Sequence, residues 1–171
     1  AKLLLYAGAK DIIILDSQGI IYKGRVNLNE YKRKLANLTN HDILKGNLDD
    51  AIDSSDVFIG VSGKGNALKT ALVKRMNKNA IIFALSNPYP EILPSEAKKA
   101  GAKIIATGRS DFKNQVNNDI VFPFLMRKIL DEKIMVINNK LMYNVAKKIA
   151  NNTKRVSYNN IICSINEMKR L

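Results

Sequence analysis

Apolar positions along this chain fall into short continuous runs separated by amphipathic windows. Residues 12–16 (IIILD) are a β-branched run closed by the polar turn Ser17-Gln18-Gly19. The same pattern returns at 57–61 (VFIGV), which enters Ser62-Gly63-Lys64-Gly65, at 81–86 (IIFALS), which stops at Asn87-Pro88, and at 103–108 (KIIATG). Between these runs, residues 29–38, 67–77 and 91–100 carry helical spacing, and Pro94 is placed for a first helical turn. Continuous apolar runs between helical windows describe strands covered on both faces, and therefore a parallel sheet. The expected fold class is α/β, a Rossmann-like doubly wound parallel sheet.

Beyond residue 111 the pattern predicts no further strand. Residues 116–131 and 138–151 read as two helices, the first interrupted by Pro123. Residues 152–171 are a polar tail with one apolar patch, Ile161-Ile162, expected as a loop and a short terminal segment. At the other end, residues 1–8 look like the second half of a helix that leads through Gly8-Ala9 into the first run. Because a doubly wound domain opens on a strand, the expectation is one domain over 1–171, truncated at its N-terminus, with C-terminal helices. No internal repeat or low-complexity linker divides it.

Composition narrows the function classes more than it names one. The chain has 171 residues, 46% apolar and 25% charged, as a globular domain does. No apolar run approaches the roughly 18 residues of a membrane span. One Cys and one His exclude a disulfide framework and a Cys/His zinc site, which fits a cytoplasmic protein. The 28 Lys and Arg against 15 Asp and Glu leave a net charge of +13. That balance would suit a phosphate-rich partner, but the cations are scattered, without a basic block or interleaved aromatics. Solvated lysine faces account for it, and a nucleic-acid-binding domain has only the charge in its favour.

Candidate chemistry sits at the ends of the runs. Asp16 closes the first, where the second strand of a dinucleotide-binding unit carries an acidic residue that accepts from the adenosine ribose hydroxyls. Such a carboxylate repels a 2′-phosphate and argues for NAD over NADP; the bland reading is a turn-favouring Asp. Gly60, Val61 and Ser62 open a glycine-rich loop whose N–H groups could approach a phosphate at a helix N-terminus, although its spacing is not that of an NTPase loop. Asn87 offers a donor and an acceptor without charge, or else is an ordinary Asn-Pro turn. Asn117 and Asn118 open a helix, where Asn is also a good cap. Arg109 is a candidate anion binder with Asp111 as its ion-pair partner. His41 reads as a solvent-exposed bystander and Cys163 as a buried small hydrophobe.

Taken together these segments resemble the NAD-binding domain of malic enzymes, bacterial type. The resemblance is carried by Val57-Phe58-Ile59-Gly60-Val61-Ser62, by Phe83-Ala84-Leu85-Ser86-Asn87-Pro88 with Pro90-Glu91, and by Ala106-Thr107-Gly108-Arg109-Ser110-Asp111-Phe112 with Asn114-Gln115-Val116-Asn117-Asn118. Asp16 with Gly19 and Tyr22-Lys23-Gly24-Arg25 fits it too, as do Ile161-Ile162 and Arg170-Leu171. It implies oxidation of L-malate with NAD or NADP, of which Asp16 favours NAD, and decarboxylation to pyruvate and CO2, with Mg2+ or Mn2+. Asn87 and Asn117 would then reach malate and the nicotinamide end of the cofactor, with Asn118 adjacent, while Asp16 binds the ribose and Gly60 to Ser62 line the cleft. The general acid Tyr, the general base Lys, the metal ligands and the glycine-rich phosphate loop would precede residue 1, in a missing N-terminal domain, so that this chain alone is inactive. The complete form is expected as a homodimer or larger, with neither nucleic acid nor membrane as partner. Departures from the family pattern are Tyr89 for a small hydroxyl residue, Lys113 for Pro, Phe124 for Gly, and Cys163 with Asn166-Glu167-Met168 for a Pro-rich segment. These departures raise the alternative of a non-catalytic remnant that acts as a binding module.

Overall fold

The computed structural model describes residues 1–164. The chain begins with α1 (Lys2–Tyr6), then the hairpin β1 (Leu15–Asp16) and β2 (Gly19–Ile20), α2 (Glu30–Ala36) and α3 (Leu48–Ala51). The α/β core follows as β3 (Val57–Gly60), α4 (Thr70–Val73), β4 (Ile81–Ala84), α5 (Pro94–Lys99) and β5 (Ile104–Thr107). Two longer helices close the described chain, α6 (Asn118–Asp131) and α7 (Asn139–Asn151).

The sheet is parallel, in the order β3-β4-β5, with Phe58 opposite Ile82 and Ile82 opposite Ile105. Its centre is β4, where Ile82 and Ala84 are fully buried among Leu68, Leu72, Val73, Met76, Ile92 and Ala97. Helix α5 starts as expected, with Pro94 in its first turn, where the missing N–H costs nothing. A second cluster joins α6 to α7 through Ile120, Leu125, Leu141, Val145 and Ile149, with Cys163 buried among them. Tyr6 of α1 meets Tyr143 of α7 edge to face, their centroids 5.5 Å apart.

Several expectations change. The run 12–16 does not join the parallel sheet. Only Leu15 and Asp16 are extended, and they pair antiparallel with Gly19 and Ile20. No described strand lies beside 12–14, whose carbonyls at Ile12 and Ile14 accept instead from the N–H groups of Asn40 and Ile21. The sheet is not covered on both faces at β3, where Val57 and Ile59 remain 44% and 43% exposed, because no described element packs over that face. The helical window 67–77 yields only four residues of helix. Helix α6 runs through Pro123 without interruption. Pro123 lies six residues into the helix, so it removes one bond to the carbonyl of Asp119, an exposed residue that water can satisfy. Phe124, large where the resemblance expects Gly, is accommodated: it packs against the α6–α7 cluster, with the Lys148 Nζ 4.7 Å from its ring centre. Arg170-Leu171 and Asn166-Glu167-Met168 lie outside the described residues.

Candidate active site

All three strands run parallel, so the segments after β3, β4 and β5 leave the sheet at one edge, the carboxyl edge where open α/β sheets bind ligands. Residues 60–65, 86–91 and 108–112 meet there. Gly108 lets the Asn87 side chain lie close: a Cβ at 108 would come within 3.2 Å of Asn87 Nδ2. Arg109 spans the same edge, donating from Nη1 to the Pro88 carbonyl at 2.7 Å. Its Nε and Nη2 hold Asp111 at 2.8 and 2.7 Å, the expected ion pair, which lowers the Asp111 pKa. Three of its five N–H donors are used in this way, so Arg109 braces two loops and keeps one donor on each of Nη1 and Nη2. After β5 the chain turns back beside it, with Val116 N–H donating to the Thr107 carbonyl at 2.8 Å, which brings the start of α6 to this edge.

The amides differ in what they have left to offer. Among the described residues the exposed Asn87 side chain makes no hydrogen bond, so its donor and acceptor are both unspent. The Asn117 Oδ1 caps α6, accepting from Asp119 N–H at 3.2 Å, while its Nδ2 remains a donor; the bland capping role is real and leaves half of the amide over. Asn118 is exposed at the first helical position.

The loop after β3 is not an open nest of amides. Ser62 N–H donates to Glu91 Oε1 at 3.0 Å, Gly63 N–H to Ser86 Oγ at 2.8 Å, and Lys64 N–H to Ser62 Oγ at 3.1 Å. Nor does a helix follow at once, since α4 begins only at Thr70. An anion therefore finds these three donors already used. What the loop presents outward is Val61, 76% exposed, and Gly63, around which a Cβ would meet nothing within 4 Å. Gly60 has a packing reason: a Cβ there would sit 2.7 Å from Glu91 Oε1.

Glu91 is the residue whose importance the pattern along the chain did not reveal. It is 0% exposed. Burial pushes its carboxyl upward, but the hydrogen bonds from Ser86 and Ser62 outweigh that and hold it below its ordinary value. The only local signal was a Glu placed soon after the Asn-Pro turn.

Asp16 stands on the separate hairpin, with no strand pairing between it and the sheet. Its carboxylate is bound by two cations, Arg25 Nη2 at 2.9 Å on Oδ1 and Lys32 Nζ at 2.6 Å on Oδ2. Gln18 N–H adds the carboxylate's third bond, the second on Oδ1, which leaves Oδ2 one acceptor position for a ligand hydroxyl. Burial works against ionisation, and the bonds from Lys32, Arg25 and Gln18 overcome it, lowering the pKa from 3.8 to about 2. The stability that these pairs contribute is therefore complete above the ordinary 3.8 and is lost as pH falls through 2. Asp16→Asn should lower the unfolding midpoint at neutral pH, with the gap to the parent protein closing between about pH 4 and pH 2. A gap that stayed constant over that range would contradict the ion-pair account.

His41 is exposed and Cys163 is buried, its thiol 3.7 Å from the Ile149 carbonyl, both as expected. Among the described residues no group of three or more His, Cys, Asp or Glu side chains is gathered to hold a metal ion, so the residues present do not fit one. No helix among them is long and apolar enough to cross a membrane.

The family model described as the malic enzyme NAD-binding domain matches residues 5–171. The chain belongs to the malic enzyme family. It is 47% identical over 150 residues to a bifunctional malic/malolactic enzyme of Bacillus subtilis, covering 87% of this chain and 36% of that protein. An NADP-dependent malic enzyme of Halomonas elongata is 43% identical over 143 residues, 82% of this chain and 33% of its own. Among solved structures, the NAD-dependent malic enzyme of Thermotoga maritima superposes with a TM-score of 0.90 at 40% identity, over 98% of this chain and 44% of that one. The chain thus spans about a third of the length of these curated relatives. The α/β fold and the assignment as an NAD-binding domain stand as expected from the sequence.

Proposed function

We propose that this malic enzyme domain supplies the cofactor half of a site that oxidises L-malate with NAD and decarboxylates the product to pyruvate and CO2. The observation that carries this reading is the pair of uncharged amides, Asn87 and Asn117, at the carboxyl edge of the sheet in a chain that the family's NAD-binding model matches nearly end to end. NAD, when bound, accepts the hydride. Asn87 donates to and accepts from the ligand, and Asn117 contributes its free Nδ2 with Asn118 beside it. Gly60, Val61 and Ser62 line the cofactor cleft through the exposed Val61 face rather than through spent amides. Asp16 accepts one ribose hydroxyl on the open position of Oδ2. NAD is the preferred dinucleotide, although Arg25 and Lys32 neutralise much of the repulsion that Asp16 would exert on a 2′-phosphate.

Among the described residues no set of side chains fits Mg2+ or Mn2+, which would steady the enolate of pyruvate, and we place its ligands, with the general acid Tyr and base Lys, in the part of a malic enzyme that this chain does not span. We place the complete protein in the cytoplasm as a homodimer or larger assembly. In a fluorescence titration the 171-residue protein should bind NADH more tightly than NADPH, yet produce no NADH from malate and NAD. Malate-dependent NADH production by this chain alone would overturn the division of labour. Tighter NADPH binding would overturn the role given to Asp16.

A further inference from the structure

A buried carboxylate held only by neutral donors is costly unless every lone pair is used, and Glu91 uses them unevenly. Three donors converge on Oε1: Ser62 N–H at 3.0 Å, Ser62 Oγ–H at 3.0 Å and Ser86 Oγ–H at 2.5 Å. Ser86 N–H donates to Oε2 at 3.2 Å. The Ser86 hydroxyl also accepts from Gly63 N–H, so the chain of bonds runs from Gly63 through Ser86 to Glu91 and on to Ser62. Backbone bonds reinforce the same seam, from Leu68 N–H to the Glu91 carbonyl at 2.9 Å and from Asn66 N–H to the Pro90 carbonyl at 3.1 Å. The charge therefore sits between the loop after β3 and the loop after β4, bonded to both and exposed to neither solvent nor ligand.

We propose that Glu91 is a positioning residue of the dinucleotide cleft, setting Val61 and the 60–65 loop at a fixed height relative to Asn87. This rests on the reading that these two loops line that cleft. Two features make the arrangement specific to a carboxylate. All four contacts are donors, which only an acceptor-only group satisfies on both oxygens. In addition, Gly60 leaves no side chain where the carboxyl group packs, so the site is shaped for this residue. Asn87, one residue after Ser86, inherits its position from the same tether.

The test uses the full-length protein and its affinity for NADH. Glu91→Gln keeps the volume but sets an amide NH2 against a donor, and should raise the NADH dissociation constant about tenfold or more in the folded fraction. Ser86→Ala removes the relay to Gly63 and should raise it by a smaller factor. The double variant should bind no more weakly than Glu91→Gln alone, since both cut one chain of bonds. Amide exchange at Ser62 and Gly63 should accelerate in parallel. Affinity within twofold of the parent, even with faster exchange, would make Glu91 a structural strut and overturn the proposal. If Glu91→Gln fails to fold, Ser86→Ala and Ser62→Ala decide the matter: unchanged affinity in both overturns it. Failure of the parent protein itself to bind NADH would be a separate result, removing the cleft and the role of Glu91 together.

Discussion

Asn87→Ala is expected to lower kcat/KM for malate oxidation by the complete protein about 100- to 1,000-fold, some 2.7–4 kcal/mol of transition-state stabilisation. Asn87 is exposed at the carboxyl edge of the sheet, its amide has no partner among the described residues, and Gly108 admits it closely from the neighbouring loop. A side chain that supports nothing in the folded protein can be removed with little effect on stability, so the unfolding midpoint should scarcely move. In the role proposed for Asn87, by contrast, an oriented hydrogen bond to the reacting ligand would be lost in full. Asn87→Asp is the sharper variant: it keeps the shape, discards the donor and faces a dicarboxylate substrate with a further negative charge. Steady-state kinetics of both variants check the assignment. Activity within a few-fold of the parent would show that Asn87 is no more than the first residue of an Asn-Pro turn.

The largest effect on stability is expected at Ile82. Its side chain is fully buried at the centre of β4, between β3 and β5 and beneath the residues that α4 and α5 contribute. Ile82→Ala deletes buried methyl and methylene groups and leaves a cavity that two flanking strands prevent from collapsing, a loss of about 3–5 kcal/mol. Ile59→Ala, on the uncovered face of β3, should cost less than about 1 kcal/mol, because much of that side chain already meets water. Urea unfolding of the two variants tests the contrast. Equal losses would mean that the two faces are equally covered and that the layering described for the sheet is wrong.

The elements legible in the sequence are those whose signal is local. β3, β4 and β5 each show an unbroken apolar run; in the central β4 that run fills both faces, while in β3, at the edge, Val57 and Ile59 keep the same apolar signal on a face left open. Pro94 and Asn117 mark helix starts through their own backbone chemistry. The run 12–16 carries the same signal and behaves differently, since a strand exists only where a neighbour offers hydrogen bonds, and composition is silent about neighbours. Pro123 reads as a break because the rule counts the lost bond, whereas the packing of Ile120, Phe124 and Leu125 against α7 outweighs it.

The candidate site divides along the same line. Asn87, Asn117 and Asp16 could be named from their places at the ends of runs, because turn and cap positions are decided within a few residues. What each still has free to offer could not. The loop 60–65 reads as a phosphate nest by its glycines, and it is the carboxylate of Glu91, brought from 29 residues away, that takes up the Ser62 N–H. Likewise Asp16 reads as a lone acid until Arg25 and Lys32 fold against it. By itself, then, the sequence determined the fold class, the strand ends and the kinds of group that stand there, since all of these follow from local periodicity and backbone preference. Only the tertiary structure decided which donors and acceptors remain unspent, because a hydrogen bond or ion pair is settled by whichever partner the fold brings within about 3 Å, however distant along the chain.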